Sequence, residues 1–341
     1  MVKHNRYLFN RANMRAHKFI YIVIVIIILA LLPLVVHNPY YIHLLIMVGI
    51  NAVLAMTFIL MLRTGLICLG IAAFWGIGAY ASAMLSMGLG LPVWLSLPAA
   101  AVITAIVAAL VGVLLVKQGG FGFIIQTLAF GFIIVLIFGT FQVFGGYVGI
   151  VGISHPEPIP IPFVGSMIFT SISKTPFYYL MLFLLLLMVL VLTAFYSSWA
   201  GRAWRAIGLS AHLAESLGMN LFNYRLLAFI IASTIAGLMG SFFAHYYGAL
   251  VPGSFGPFKT INIHVYAILG GINFPILGPV IGSLIMTFVP EFLRITEGVE
   301  PIFTGILMIL LVLFLPNGLL GLTHLWPRRG KPSGNTTHPI I

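Results

Sequence analysis

Aspartate is absent from this chain, and glutamate occurs only five times in 341 residues. A proton relay through the membrane needs buried carboxylates, and a Ser/His/Asp triad needs its acid. Neither is on offer. Cysteine is nearly absent too. Cys68 stands alone, which excludes an intrachain disulfide and any cysteine-based metal cluster. The ten histidines form no H-E-x-x-H or i, i+4 pair, and His155 with Glu157 falls in a proline-rich stretch that suits exposed loop better than a metal site. Charge of either sign is scarce, at 6% of residues against 61% hydrophobic, with a mean hydropathy of +1.16. Soluble domains carry roughly 25% charged residues, so lipid is the solvent for most of this chain.

What charge there is carries information. Sixteen Lys and Arg give a net +11. No interleaved basic and aromatic surface accompanies them, so nucleic-acid binding is not the reading. They read as orientation signals. The segment 1–18 holds Lys3, Arg6, Arg11, Arg15 and Lys18 and is expected to stay in the cytoplasm. The apolar run 19–36 that follows has no A-x-A cleavage site and reads as a retained first span. Further spans are expected at 42–62, 66–87, 92–116, 122–144, 176–196, 226–248 and 302–317. The stretch 258–293 is apolar but interrupted by Gly270, Gly271, Pro275, Gly278 and Pro279, and is expected to form two short broken helices, with a re-entrant half as the alternative.

The result is an all-α polytopic membrane protein of about ten transmembrane helices, 19–322, with both termini cytoplasmic and a polar tail at 323–341. Ten crossings leave only Lys174, Lys259 and Arg294 on the outer side. The outer loop 145–175 contains HPEPIPIP, with proline at alternate positions from Pro156 to Pro162, and is expected to be extended. Gly-interrupted segments at 65–80 and 270–282 hint at a repeat of two halves. Broken backbone in corresponding places points to a substrate path at the midplane. Candidate path or hinge residues are therefore Gly65, Gly70, Gly76, Gly78, Gly270, Gly271, Pro275 and Gly278. Close helix packing through small residues explains the first cluster equally well, and a tight turn explains the second.

The longest polar interruption is GRAWRAIGLSAHLAESLGMN, 201–220, inside a cytoplasmic loop spanning 197–225. A helix is expected to start at Ser210, a good N-cap, and to stop at Gly218, a good left-handed C-cap. Leu213, Leu217 and Met219 would form one apolar side. Such an element suits docking by a cytoplasmic motor, and also suits lying on the lipid surface. The chain has no G-x-x-x-x-G-K-[ST], so it does not bind ATP through a P-loop.

Three blocks resemble the permease subunits of bacterial branched-chain amino acid ABC transporters, of the LivM-like branch: GLICLGIAAFWGIGAYASAM, then GRAWRAIGLSAHLAESLGMN with the span after it, then AILGGINFPILGPVIGSLIMTFVPEFLR with LFLPNGLLGL. The resemblance runs from about residue 41 to 322. It implies a bacterial inner-membrane subunit that is not itself an enzyme and binds no cofactor. ATP and Mg would sit on two cytoplasmic ABC ATPases, alongside a second homologous permease and an extracytoplasmic substrate-binding protein. It maps Gly201, Arg202, Arg205, Ala206, Glu215 and Gly218 onto the ATPase-coupling loop. Departures fall at Cys68 and Ile71, which make the path less polar, and at Gly208, Leu209 and Ser210, which thin the charge of the docking surface. Similar motifs occur in permeases for urea and short amides. From another class, a stand-alone secondary carrier or channel is the competing expectation.

Overall fold

The computed structural model of the protein describes residues 27–36, 38–161, 165–170, 173–292, 305–306, 309 and 318–321. The expected basic segment 1–18, the start of the first span, nearly all of the span 302–317 and the tail 323–341 lie outside the described residues.

Apolar length dictates the elements. A helical stretch at 27–35 (α1) leads into α2 (Pro39–Leu62), α3 (Ile71–Gly88), α4 (Val93–Leu115), α5 (Gly120–Thr140) and α6 (Thr175–Ser197). Two short helices, α7 (Trp199–Leu209) and α8 (Ala211–Ser216), precede α9 (Leu221–Tyr247), α10 (Pro257–Gly270) and α11 (Leu277–Phe292). Among the described residues, six helices (α2, α3, α4, α5, α6 and α9) are long and apolar enough to cross a membrane. Asn38 caps α2, its side chain accepting from the Tyr40 amide at 2.9 Å, and Asn220 caps α9 by accepting from the Asn223 amide at 3.1 Å.

Burial sorts the helices. The apolar window of α2 is 89% buried, against 28% for α5 and α6. So α2 is the hub, while α5 and α6 keep broad apolar faces outward, where lipid or a partner covers them. On the other side of the hub, α9 packs against α3 and α4 through small residues. A Cβ on Gly78 would overlap the Gly237 carbonyl, and one on Gly240 would overlap the Trp75 carbonyl. That approach is the currency of helix association in lipid. Gly76 and Gly78 thus sit inside an unbroken α3 as packing residues.

The helices alternate in direction, so Arg63 at the foot of α2 marks one end of the bundle and Asn38 the other. The region expected to be broken resolves into α10 and α11. After α9 the chain turns at Gly248, pairs Ala249–Leu250 (β4) antiparallel with Ile150–Val151 (β1), and makes a 3-10 turn at Pro252–Phe255. It has by then moved back along the bundle axis. Pro257 lies beside Gly131, the middle of α5. From there α10 runs parallel to α2, with Lys259 beside Asn51 and His264 against Phe58, and finishes at the Arg63 end. Its fourteen residues span about 21 Å, well short of a bilayer's ~30 Å core. This crossing therefore has an irregular half and a helical half. The return at Gly318 packs on Gly271, again at the Arg63 end.

Several boundaries differ from expectation. The segment 66–70 is not helical: Gly65 turns the chain at φ 75°, the Leu69 amide goes to a side chain of α5, and a side chain of α10 takes the Ala72 amide in the first turn of α3. The expected span 122–144 stops at Thr140, where Phe141 is extended and two 3-10 turns follow. The span expected from 226 begins five residues earlier, at Leu221. In the outer loop the proline-rich run is extended. Ile159–Ile161 (β2) pairs antiparallel with Gly165–Met167 (β3), Ile159 opposite Met167.

Candidate coupling element and the polar sites of the bundle

The polar loop is more ordered than its composition suggests. Ser198 caps α7, accepting from the Gly201 amide at 3.3 Å. One face of α7 is buried: Gly201, Ala203, Trp204 and Ile207. Trp204 is 0% exposed and donates its indole N–H to the Tyr224 carbonyl at 2.8 Å. Gly201 fits where a side chain would collide with the last carbonyls of α6, and Gly208 where one would collide with the Arg63 carbonyl. The helix is thereby clamped onto the feet of α2, α6 and α9. Its other face is open, with Arg202 and Arg205 exposed, Ala206 between, and Trp199 83% exposed under the Arg202 guanidinium at 4.5 Å.

Ser210 then caps α8, accepting from the Leu213 amide at 3.3 Å, and Gly218 follows at φ 82°, a backbone state that suits glycine. Leu209, Leu213 and Leu217 are exposed, at 84%, 61% and 73%. The same short stretch thus exposes three leucines together with the charges of Arg202, Arg205 and Glu215. Beside it lies a groove of about 600 Å³ lined by Lys117, Glu215, Gly218, Asn220 and Arg225 among others. Arg225 braces this end, donating to the Thr64 carbonyl at 3.2 Å. Arg63 stacks over Tyr196 at 4.4 Å. Burial holds the Arg63 guanidinium below its ordinary range, an effect that Tyr196 opposes and Arg205 reinforces.

A second polar site surrounds the broken segment before α3. Backbone out of helix inside a membrane survives only where its polar groups are met. Here the Leu69 amide donates to Thr127 Oγ1 and the Ala72 amide to Thr260 Oγ1, both at 3.0 Å, and His264 Nε2 donates to the Cys68 carbonyl at 3.0 Å. Gly70 stands at the N-cap of α3, close to the Thr127 carbonyl. At the Arg63 end, Gly270 and Gly278 bring the end of α10 onto the start of α11, with Gly271 at φ 113° and Pro275 in the connection between. Gly65 and Gly70 thus belong to one site, and Gly270, Gly271, Pro275 and Gly278 to another.

At the opposite end a third cluster is buried between α3, α4 and α9. Ser241 donates to Ser82 at 2.5 Å, and Ser82 lies 2.8 Å from His245 Nε2 and 3.1 Å from Ser96. The other ring nitrogen of His245 donates to the Ser154 carbonyl at 2.7 Å, and His155 Nδ1 donates to the His245 carbonyl at 2.8 Å. This cluster ties the outer loop to the bundle. No charge pattern in the sequence announces it.

Lys259 is the largest departure from the sequence expectation. Charge counting placed it outside the membrane. Its ammonium instead lies 3.3 Å from Asn51 Oδ1, half way along α2, and over the Trp75 ring at 5.8 Å. Among the described residues no group of three or more His, Cys, Asp or Glu comes together to hold a metal ion.

A clamped amphipathic helix pair at one end of a Gly-packed bundle, with a half-length helix in the middle, is what a family comparison must explain. The model of a family described as the branched-chain amino acid transport system permease component matches residues 40–315. The chain belongs to that family. Among relatives of this permease family, it is 28% identical to the high-affinity branched-chain amino acid transport system permease protein LivM of Salmonella typhimurium over 299 residues. That alignment covers 83% of this chain and 68% of the relative. LivM of Escherichia coli is 27% identical over the same shares. BraD of Pseudomonas aeruginosa is 30% identical over 176 residues, 49% of this chain and 57% of the relative. No solved structure matches the chain. Membership makes this permease a transport subunit, and its apolar helices make it multi-pass.

Proposed function

We propose that this permease is one of two membrane subunits of an ATP-driven importer for branched-chain or related hydrophobic amino acids, in a bacterial inner membrane. The observation that carries this is the α7–α8 pair, rigidly seated on the feet of α2, α6 and α9 yet presenting Arg202, Arg205, Glu215 and three exposed leucines. A seat of that kind transmits force, where a loose loop would absorb it. Two cytoplasmic ABC ATPases, holding ATP and Mg, dock there. An extracytoplasmic binding protein delivers solute at the other end, over the loop that His245 and His155 tie down. Ten crossings with both termini cytoplasmic complete the arrangement. The relatives LivM and BraD are named for high-affinity branched-chain amino acid transport, which supports this solute class above urea or short amides.

The mechanism follows from the geometry. Closure of the ATPases pushes on α7 and α8. Trp204 and Gly208 pass the displacement to α9 and to the foot of α2. The non-helical joints at 64–70 and 271–276 yield, while the Gly-packed α3–α9 pair moves as one body. The test is uptake of leucine into proteoliposomes holding the copurified complex. Arg205→Glu inserts normally but hydrolyses ATP without driving uptake. Normal uptake by that variant removes the coupling assignment. Uptake by this chain alone, without ATP, would instead favour a carrier or channel.

A further inference from the structure

At the Asn38 end of the bundle a cavity of about 160 Å³ lies between the start of α2, the start of α6 and the last turn of α9. His43, Thr170, Lys174, Phe177, Tyr246 and Tyr247 line it. Sites for drug-sized ligands begin near ~300 Å³, so this one suits a single small molecule. Its aromatic wall is fixed by packing. Phe177 meets Tyr246 edge-on at 5.2 Å and His155 at 5.5 Å, which continues the wall into the histidine tie under the outer loop. Charge in the cavity is of one sign. Lys174 is half-buried and acts on His43 across it, and among the described residues no carboxylate lines the cavity or pairs with Lys174. The His43–Tyr246 pair adds a donor. The two rings stack at 5.8 Å, with His43 Nδ1 2.5 Å from the Tyr246 hydroxyl. A neutral imidazole and a phenol carry one polar hydrogen each, and this bond uses one of them. If Tyr246 donates, the His43 Nε2–H is left over. If His43 donates, the Tyr246 O–H is left over. Either tautomer leaves one donor unspent near the ammonium of Lys174. Two such donors beside aromatic rings match a carboxylate on a small apolar body, and the ring faces also suit an ammonium.

We propose that this cavity is where the permease first receives the transported solute, with Lys174 and the spare donor of the His43–Tyr246 pair on its carboxylate and the rings of Phe177, Tyr246 and Tyr247 against its side chain. This rests on the importer reading and sharpens it: the solute is a carboxylate with an apolar side chain, and urea and neutral amides are not recognised. One half-buried lysine and one neutral donor hold a carboxylate weakly, which a transit site requires, because a solute that binds tightly does not leave.

The test uses proteoliposomes holding the full complex and its binding protein. A diazirine analogue of leucine is photolysed on them without ATP, and labelled peptides of this chain are mapped. Label is expected on the peptide carrying Phe177 or the one carrying Tyr246 and Tyr247, removed by excess leucine but not by leucinamide, which lacks the carboxylate. Lys174→Met is expected to lower both this label and ATP-dependent leucine uptake by about 10-fold, the low end for a charge-assisted hydrogen bond because the lysine is partly open to water. ATP hydrolysis stimulated by the binding protein persists in that variant. Lys174→Arg keeps the charge and is expected to retain most of the label and the uptake. The proposal is overturned by the absence of leucine-competed label on both peptides, by label that leucinamide removes equally well, or by full label and uptake in Lys174→Met. Loss of stimulated hydrolysis together with uptake in Lys174→Met also overturns it, since the lysine is then a contact for the binding protein. An equal loss in the Met and Arg variants makes the role structural and overturns it too. In each of these cases ATP-dependent leucine uptake by the unmodified complex keeps the importer reading standing. If the unmodified complex takes up no leucine, isoleucine or valine with ATP, the importer reading itself fails.

Discussion

Trp199 and Trp204 stand five residues apart on α7, which turns them about 140° from one another around the helix axis. One is 83% exposed and the other 0%. The account assigns them opposite jobs, and truncating each separates the two. Trp204→Ala empties a fully packed site and removes the 2.8 Å bond to the Tyr224 carbonyl. Losses for buried aromatic-to-alanine changes run at about 3–5 kcal/mol. That is enough to detach α7 from α9 and to lower the thermal unfolding midpoint of the detergent-solubilised protein by several degrees. Trp204→Phe keeps most of the packing and loses the hydrogen bond, at about 1 kcal/mol. Trp199→Ala removes exposed surface and the Arg202 stacking contact. Its effect on the midpoint is within measurement error, but its ATPase partners are expected to bind more weakly. Thermal scans and partner retention on a column, measured on the same preparations, give the two readouts. If Trp199→Ala destabilises the fold as much as Trp204→Ala, or if Trp204→Ala leaves the midpoint unchanged, the clamped-helix argument is wrong.

Gly78→Leu forces a side chain into the Gly237 carbonyl and is expected to prevent α3 from packing on α9, seen as loss of monodisperse protein after extraction. Thr127→Val leaves the Leu69 amide without its acceptor and is expected to cost about 1–3 kcal/mol, while Thr127→Ser keeps the bond; comparing their unfolding midpoints checks it. Gly218→Ala strains a residue at φ 82° with open space around it, so a loss of about 1 kcal/mol without any effect on insertion is expected, read by the same scans. His245→Leu removes the acceptor of Ser82 and the donor to Ser154, and is expected to raise protease sensitivity of the 145–175 loop in intact vesicles.

Much of this architecture was legible because apolar length is a one-dimensional property. The long helices, the extended proline-rich loop and the division of 258–293 into two helices follow from runs and breakers alone. So do the Ser210 and Gly218 caps, whose chemistry is local. Helix α7 was missed, although Gly201, Trp204 and Ile207 recur at three-residue intervals behind Ser198, which is a helical signal. The remaining gaps are tertiary. That Thr127 takes the Leu69 amide and Thr260 the Ala72 amide at the start of α3, or that Gly78 meets Gly237, depends on partners far away in sequence. Lys259 was assigned to the wrong environment for the same reason. Charge counting takes whatever lies between spans to be outside, and only the return of 249–256 along the bundle carries the lysine to Asn51.

Mild-detergent purification of this chain from its native membranes, with mass spectrometry of what accompanies it, tests the central claim most directly. To localise the contact, a photo-crosslinker at Leu213 is activated before extraction. The account predicts two ATPase subunits and a second permease in the complex, with the Leu213 adduct on an ATPase. A chain that purifies alone and moves solute in liposomes without ATP contradicts it.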